Sequence, residues 1–277
     1  MRYRLRKEYV FSDGRRMKLL VLSPADKAPK EKRTGVLWIH GGGYVTGMAE
    51  TVCISRAKAL VKRYGAVVVS PGYRLAGKAP YPAALIDCHN ALVWLRERAG
   101  TLGVRSDQLM VGGESAGGGL AAALCMYEHD KGGVKLAAQM PLYPMLDNED
   151  TETSRDNHSP VWNTRRNRYG WSRYLRGMDR AAETPCYAAP ARRKDYAGLP
   201  PAYTFVSTKE PFYAETVTYI KNLRSSGVEA AIDIYQGLFH AFDMLLPCLK
   251  VSRKAAQSFE RWFARAQKEY FAEQAPL

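Results

Sequence analysis

Gly113-Glu-Ser-Ala-Gly117, with Gly118 and Gly119 behind it, sets a serine between glycines directly after a short apolar run. Gln108–Val111 reads as a strand and Ser115–His129 as an Ala-rich helix, so Ser115 stands on a tight strand-to-helix turn. Glycines there let neighbouring backbone pass where a Cβ would collide. The helix N-terminus adds positive potential beside the hydroxyl. A glycine-rich helix start with a capping serine is the blander reading, and the strand–turn–helix context weighs against it. A serine so placed is a nucleophile that needs a base.

The chain has five histidines. His89 falls inside a helical pattern, His129 near a helix end and His158 in an irregular polar stretch, each suited to packing or solvation. His40 directly precedes Gly41-Gly42-Gly43-Tyr44, where it is expected to hydrogen-bond the loop. His240 alone follows a late strand, Ala230–Tyr235, and lies after the serine. It is the expected base. A third group must orient it, and the first carboxylate beyond the preceding strand, Ala202–Ser207, is Glu210. Glutamate is a poor helix N-cap, although one before Pro211 could also complement a helix dipole. Asp195 precedes that strand, Glu215 lies in the following helix and Asp233 within the last strand. The glycine run after His40 exposes consecutive N–H groups, of the kind that hold a developing oxyanion.

These residues need elements to hold them. Tyr3–Phe11 and Arg16–Leu22 flank Asp13-Gly14, a hairpin signal, and a Pro/Lys-rich loop follows. Gly35–His40 and Ala66–Ser70 read as buried strands, Val52–Tyr64 as a helix stopped by Gly65, and Pro82–Arg98 as another helix. Val134–Leu142 is a further strand. From Asp147 to Tyr196 the pattern gives way to polar, Trp/Tyr/Arg-rich sequence with short helical pieces. Regularity returns with Ala202–Ser207, helix Pro211–Ser225, strand Ala230–Tyr235 and a last helix near Leu249–Ala272. Strands alternating with helices give an α/β class: a mostly parallel sheet of about eight strands with helices on both faces. One domain is expected over residues 1–277, with 147–196 inserted over one edge of the sheet.

The net charge is +14, from 41 basic and 27 acidic residues. Basic residues are spread over Arg2–Lys18, Lys27–Arg33 and Arg155–Lys194 with acids between them, and no nucleic-acid motif accompanies them. A solvated basic surface is therefore expected, with no specific nucleic-acid partner. No apolar run approaches the roughly 18 residues of a membrane span, and the N-terminus does not read as a signal peptide. Five scattered cysteines without a CxxC pair fit neither a zinc site nor a disulfide framework. A cytoplasmic location follows as the expectation.

Taken together, His40-Gly-Gly-Gly-Tyr44, Tyr73-Arg-Leu-Ala76 with Pro82-Ala-Ala84 and Asp87, Gly113-Glu-Ser-Ala-Gly-Gly118, Glu210-Pro-Phe212 and His240-Ala-Phe242 closely resemble the hormone-sensitive-lipase family of α/β-hydrolases, bacterial esterase family IV. The resemblance covers roughly residues 34–250. It implies an α/β-hydrolase fold with Ser115 as nucleophile, Glu210 as orienting acid and His240 as base. It also implies an oxyanion hole from the N–H groups of Gly42, Gly43 and Ala116. The acid is Glu where the family usually has Asp. Only 39 residues precede His40, and they read as strands where relatives usually carry cap helices, so the lid is expected from 147–196. Tyr44, Trp162, Phe212 and Phe239 are the candidate pocket walls. The implied activity is a serine carboxylesterase for small, short-chain acyl esters, without cofactor or metal. A deacetylase of acetylated sugars or metabolites is the alternative. A ligand receptor on the same fold is disfavoured because His240 is retained, and a peptidase because no propeller domain is present. The expected partner is a small-molecule ester, and a homodimer is left open.

Overall fold

The computed structural model describes residues 2–25, 32–179 and 182–275; most of the Pro/Lys-rich loop, including Lys27–Lys30, lies outside them. The strands are β1 (Tyr3–Ser12), β2 (Arg15–Pro24), β3 (Arg33–Ile39), β4 (Val67–Pro71), β5 (Val104–Glu114), β6 (Ala138–Leu142), β7 (Ala202–Ser207) and β8 (Ala230–Tyr235). The helices are α1 (Ala57–Tyr64), α2 (Ala83–Glu97), α3 (Ala99–Leu102), α4 (Ala116–Lys131), α5 (Thr164–Tyr174), α6 (Tyr213–Ser225), α7 (Phe242–Leu245) and α8 (Lys250–Glu269). All eight strands form one sheet in the order β1-β2-β4-β3-β5-β6-β7-β8. The β1–β2 and β2–β4 pairings are antiparallel and the other pairings parallel.

Strand periodicity divides the core. In β2, Leu19 and Val21 enter one apolar cluster while Leu20 and Leu22 enter the other. In β3, Leu37 and Ile39 side with the first and Val36 and Trp38 with the second. Side chains that alternate across a pleated strand must bury both faces, and helices cover each. Residues of α2, α4 and α6 complete one cluster, and those of α1 and α8 the other. In α8, Ala255, Phe259, Trp262, Phe263 and Ala266 recur at helical spacing and are buried.

Asp13 (φ 50°) and Gly14 (φ 70°) close the β1–β2 hairpin with two left-handed residues, the geometry that matches strand twist. The helix expected over Val52–Tyr64 is broken into a 3-10 turn, Ala49–Cys53, and α1. The Ser55 hydroxyl donates to Val52 O and accepts the Ala57 N–H, a side-chain competitor for the backbone bonds that a continuous helix would need. β5 is longer than Gln108–Val111, β6 shorter than Val134–Leu142, and α6 begins at Tyr213 rather than Pro211.

The insertion between β6 and β7 does not lie over an edge of the sheet. Its Trp162 covers Gly43 after β3, its Tyr174 stacks on Tyr44 with centroids 4.0 Å apart, and its Thr153 hydroxyl donates to Pro211 O after β7. It therefore crosses the carboxyl ends of the strands. β6 and β7 are interior strands, so a chain leaving between them rises directly above the sheet's end.

A buried carboxylate ties α2 to β1 and to the loop after β4. Asp87 in α2 is 2% exposed and accepts from the Ser12 hydroxyl of β1, from Arg74 N–H at 2.8 Å, and from Arg74 Nε and Nη2 at 2.9 Å each. Asp87→Ala leaves the guanidinium without its buried partner and should lower the unfolding free energy by about 3 kcal/mol, measured by urea denaturation. A loss below about 1 kcal/mol would mean that the network is a surface ion pair in its energetics.

Candidate active site

The turn between β5 and α4 is strained. Ser115 holds φ 59° and ψ −123°, a region that side chains avoid and that costs of order 1–3 kcal/mol. Main-chain bonds hold it there: Ser115 N–H donates to Leu142 O at 3.0 Å, while its own carbonyl accepts from Gly119 at 3.0 Å and Met145 at 3.1 Å. The end of β3 passes so close that a Cβ on Gly117 would sit 2.1 Å from Ile39 O and 2.5 Å from His40 O. No side chain fits between these backbones, which explains the glycine after the serine.

His240 lies beyond β8, immediately before Ala241 at φ 59°. Its Nε2 is 2.9 Å from Ser115 Oγ and its Nδ1 is 2.6 Å from Glu210 Oε2. A carboxylate accepts only, so Nδ1 carries the hydrogen and Nε2 is left to accept the serine hydroxyl. The other oxygen, Glu210 Oε1, accepts Ser207 N–H at 2.6 Å. Among the described residues the Glu210 carboxylate bonds no N–H of α6, so it does not cap that helix. Burial pushes the Glu210 carboxyl upward, and the bond from His240 pulls it back. Exposure falls along the row from 7% at Ser115 to 3% at His240 and none at Glu210, so the row opens toward its hydroxyl end.

Two rings meet His240 edge to face: Phe212 at 4.9 Å and Tyr143 at 5.1 Å between centroids. Tyr143, at the end of β6, did not stand out in the sequence, where only its position before Pro144 marked it. Of the expected pocket walls, Trp162 and Phe212 come together, with centroids 6.4 Å apart. Tyr44 does not join them: it is 1% exposed, donates to Met145 O and stacks on Tyr174 inside the core. Phe239 packs instead against the cluster on the α1 and α8 face.

Gly41 meets the Ser115 turn so closely that a Cβ would lie 3.2 Å from Ser115 Cβ. The N–H groups of Gly42, Gly43 and Ala116 donate to no group among the described residues. His40 stays out of that chemistry. Burial lowers it to about 4, so at pH 7 it is neutral, donating Nδ1–H to Gly41 O at 2.8 Å and stacking on Tyr73. His89 pairs with Glu128, His158 pairs with Asp156 at the surface, and the His129 ring lies against Gly198.

A family model described as the alpha/beta hydrolase fold matches residues 36–244. The chain belongs to that family. It is 32% identical over 212 residues to esterase LipI of Mycobacterium tuberculosis, a match spanning 75% of this chain and 65% of LipI, just under two thirds of that relative. It is 34% identical over 224 residues to an arylesterase of Saccharolobus solfataricus, covering 76% of this chain and 70% of the arylesterase. Among solved structures, a bacterial heroin esterase superposes with a TM-score of 0.90 at 30% identity, over 96% of this chain and 84% of that one. No helix among the described residues is long and apolar enough to cross a membrane.

The contact between Trp162 and Gly43 is testable on its own. A Cβ on Gly43, which holds φ 58°, would lie 2.0 Å from Trp162 Cη2. Gly43→Ala should cost more than the roughly 1–2 kcal/mol of left-handed backbone strain. In a Trp162→Ala background the excess should vanish, giving a coupling energy above about 0.5 kcal/mol by denaturation of the four proteins. Additive losses would mean that the ring does not rest on the glycine.

Proposed function

We propose that the chain is a serine carboxylesterase acting on small acyl esters, with Ser115 as nucleophile, His240 as base and Glu210 as orienting acid. The single observation that carries this reading is the unbroken row Ser115 Oγ, His240 Nε2, His240 Nδ1 and Glu210 Oε2, with gaps of 2.9 and 2.6 Å, on a strained turn. The relatives' names, esterase and arylesterase, support the same reading.

In this mechanism Ser115 Oγ attacks the ester carbonyl while Nε2 takes its proton. Glu210 holds the tautomer that leaves Nε2 free and stabilises the imidazolium that forms. The oxyanion is held by the N–H groups of Gly42, Gly43 and Ala116, the last at the N-terminus of α4. The imidazolium then protonates the leaving alcohol, and the same base activates water to release the acid. The insertion, with Trp162 over Gly43, serves as lid, and Trp162 and Phe212 serve as the walls nearest the chemistry.

Ser115→Ala should abolish hydrolysis of p-nitrophenyl butyrate, and a fluorophosphonate should label Ser115 by mass spectrometry; an adduct on a different serine would move the nucleophile elsewhere. Glu210→Gln should keep the fold and lower kcat on the order of 10⁴-fold, the loss expected when a triad carboxylate becomes an amide. Near-native kcat in that variant would reassign the acid.

Chain-length preference follows from the same walls. Each added methylene contributes about 0.8 kcal/mol only where apolar surface receives it, and Trp162 closes directly over the oxyanion loop. Butyrate esters should therefore exceed laurate esters in kcat/KM. The reverse order would mean a deep acyl channel.

A further inference from the structure

Arg56, in the bend before α1, reaches across to the turn that carries His240. Its Nε donates to Asp243 Oδ2 at 2.7 Å and its Nη2 to the Asp243 main-chain carbonyl at 2.6 Å. The Asp243 side chain is fully buried and that of Arg56 is 16% exposed. Asp243 is the second residue of α7, three beyond His240 and two beyond the left-handed Ala241. One guanidinium thus grips both the side chain and the backbone of the segment that aims the imidazole.

The charges around this grip decide what it does besides holding. Glu114, the residue before the nucleophile, accepts Trp38 Nε1–H at 2.8 Å and Arg56 N–H at 3.4 Å. Burial pushes its carboxyl up to about 8, so at pH 7 it is neutral and does not offset the guanidinium. The neutral Tyr143 phenol does not either; burial and Asp243 hold it well above its ordinary range. Asp243 is the partner that balances Arg56.

We propose that Arg56 and Asp243 form a positioning pair for His240, which fixes the turn that points Nε2 at Ser115 and in which each residue balances the other's charge beside that turn. This rests on the reading of His240 as the base. The titratable groups that meet it directly are Ser115 from the β5–α4 turn, Glu210 from the loop after β7 and Tyr143 just after β6; Asp243 from α7 acts on Glu210, and Asp243, Glu114 from β5 and Arg56 before α1 all act on Tyr143. A buried charge stripped of its partner acts on its neighbours with little screening. Losing Arg56 leaves an anion that favours the imidazolium, and losing Asp243 leaves a cation that opposes it. The two losses must therefore move the pH profile in opposite directions, which a role confined to stability does not predict.

The test is kcat and KM for p-nitrophenyl butyrate from pH 5 to 9, with circular dichroism to establish folding. The proteins are the wild type, Arg56→Met, Asp243→Asn, Arg56→Met with Asp243→Asn, Arg56→Lys and Ser115→Ala. Arg56→Met should lower kcat by about tenfold or more with KM within about twofold, because an ångström of misplacement can cost a hundredfold. The acid limb of its kcat/KM profile should rise by at least about half a pH unit, and that of Asp243→Asn should fall by a similar amount. The double variant should return the limb to the wild-type position while kcat stays low. Arg56→Lys should recover the limb and part of kcat. Should Arg56→Met not fold, Asp243→Asn and Arg56→Lys still read out the charge effect. Folded variants whose kcat stays within twofold of wild type, or whose acid limbs coincide, overturn the pair's role while Ser115-dependent turnover stands. Turnover that survives Ser115→Ala overturns the triad reading and this inference with it.

Discussion

A close backbone crossing sits under the nucleophile turn. The carbonyls of Ile39 and His40 at the end of β3 lie where a side chain on Gly117 would stand, and Gly113 meets the same Ile39 carbonyl. The crossing brings the glycine loop that follows His40 against the serine turn, and the N–H groups of Gly42, Gly43 and Ala116 in these two segments donate to nothing among the described residues. Ser115 holds its strained positive-φ conformation there, and main-chain bonds maintain the strain: Leu142, Gly119 and Met145 all bond that one residue. Parallel strands β3, β5 and β6, continuously paired over Gly35–Ile39 and Met110–Glu114, supply the platform.

Burial organises the electrostatics of the same region. Carboxyls that would be ionised in water are pushed toward neutrality by burial, Glu114 against the opposing pull of the Trp38 N–H and Glu215 against that of the Leu146 and Asp147 N–H groups. Glu210 is held between the two tendencies, because burial opposes its charge and His240 favours it. His40 is driven the other way and kept neutral. The net charge of +14 belongs mostly to the surface and says little about the site. The residues that matter are few, buried and paired.

Aromatic rings join the insertion to the sheet. Tyr44 is clasped between Trp171 and Tyr174, and Tyr174 also meets Tyr81. Rings in these offset and tilted arrangements add about 0.5–1.5 kcal/mol each beyond their buried area. They fix α5 over the strand ends, which sets the position of Trp162 above Gly43. The same contacts explain why Tyr44 cannot wall a pocket, since its ring is consumed in holding the insertion down.

The sequence by itself determined the parts governed by local rules. Alternating apolar residues gave the strands, helical spacing gave α2, α4 and α8, and Asp13-Gly14 gave the hairpin, because pleat, helix pitch and turn dihedrals are set by neighbours a few residues away. It also singled out Ser115, Glu210 and His240, since each follows a strand whose carboxyl end must face the same crevice. Tertiary structure decided what depends on distant partners. Arg56 and Asp243 are 187 positions apart, and nothing in either neighbourhood announces the other. The break before α1 reflects Ser55 turning back on Val52 and Arg56 reaching across to the buried Asp243, two side-chain choices that periodicity does not register. Tyr44 in the core, Phe239 on the far face and the insertion across the strand ends were all settled by packing. An aromatic residue in a loop has the same chemistry whether it lines a pocket or fills a core, and only the space around it tells which.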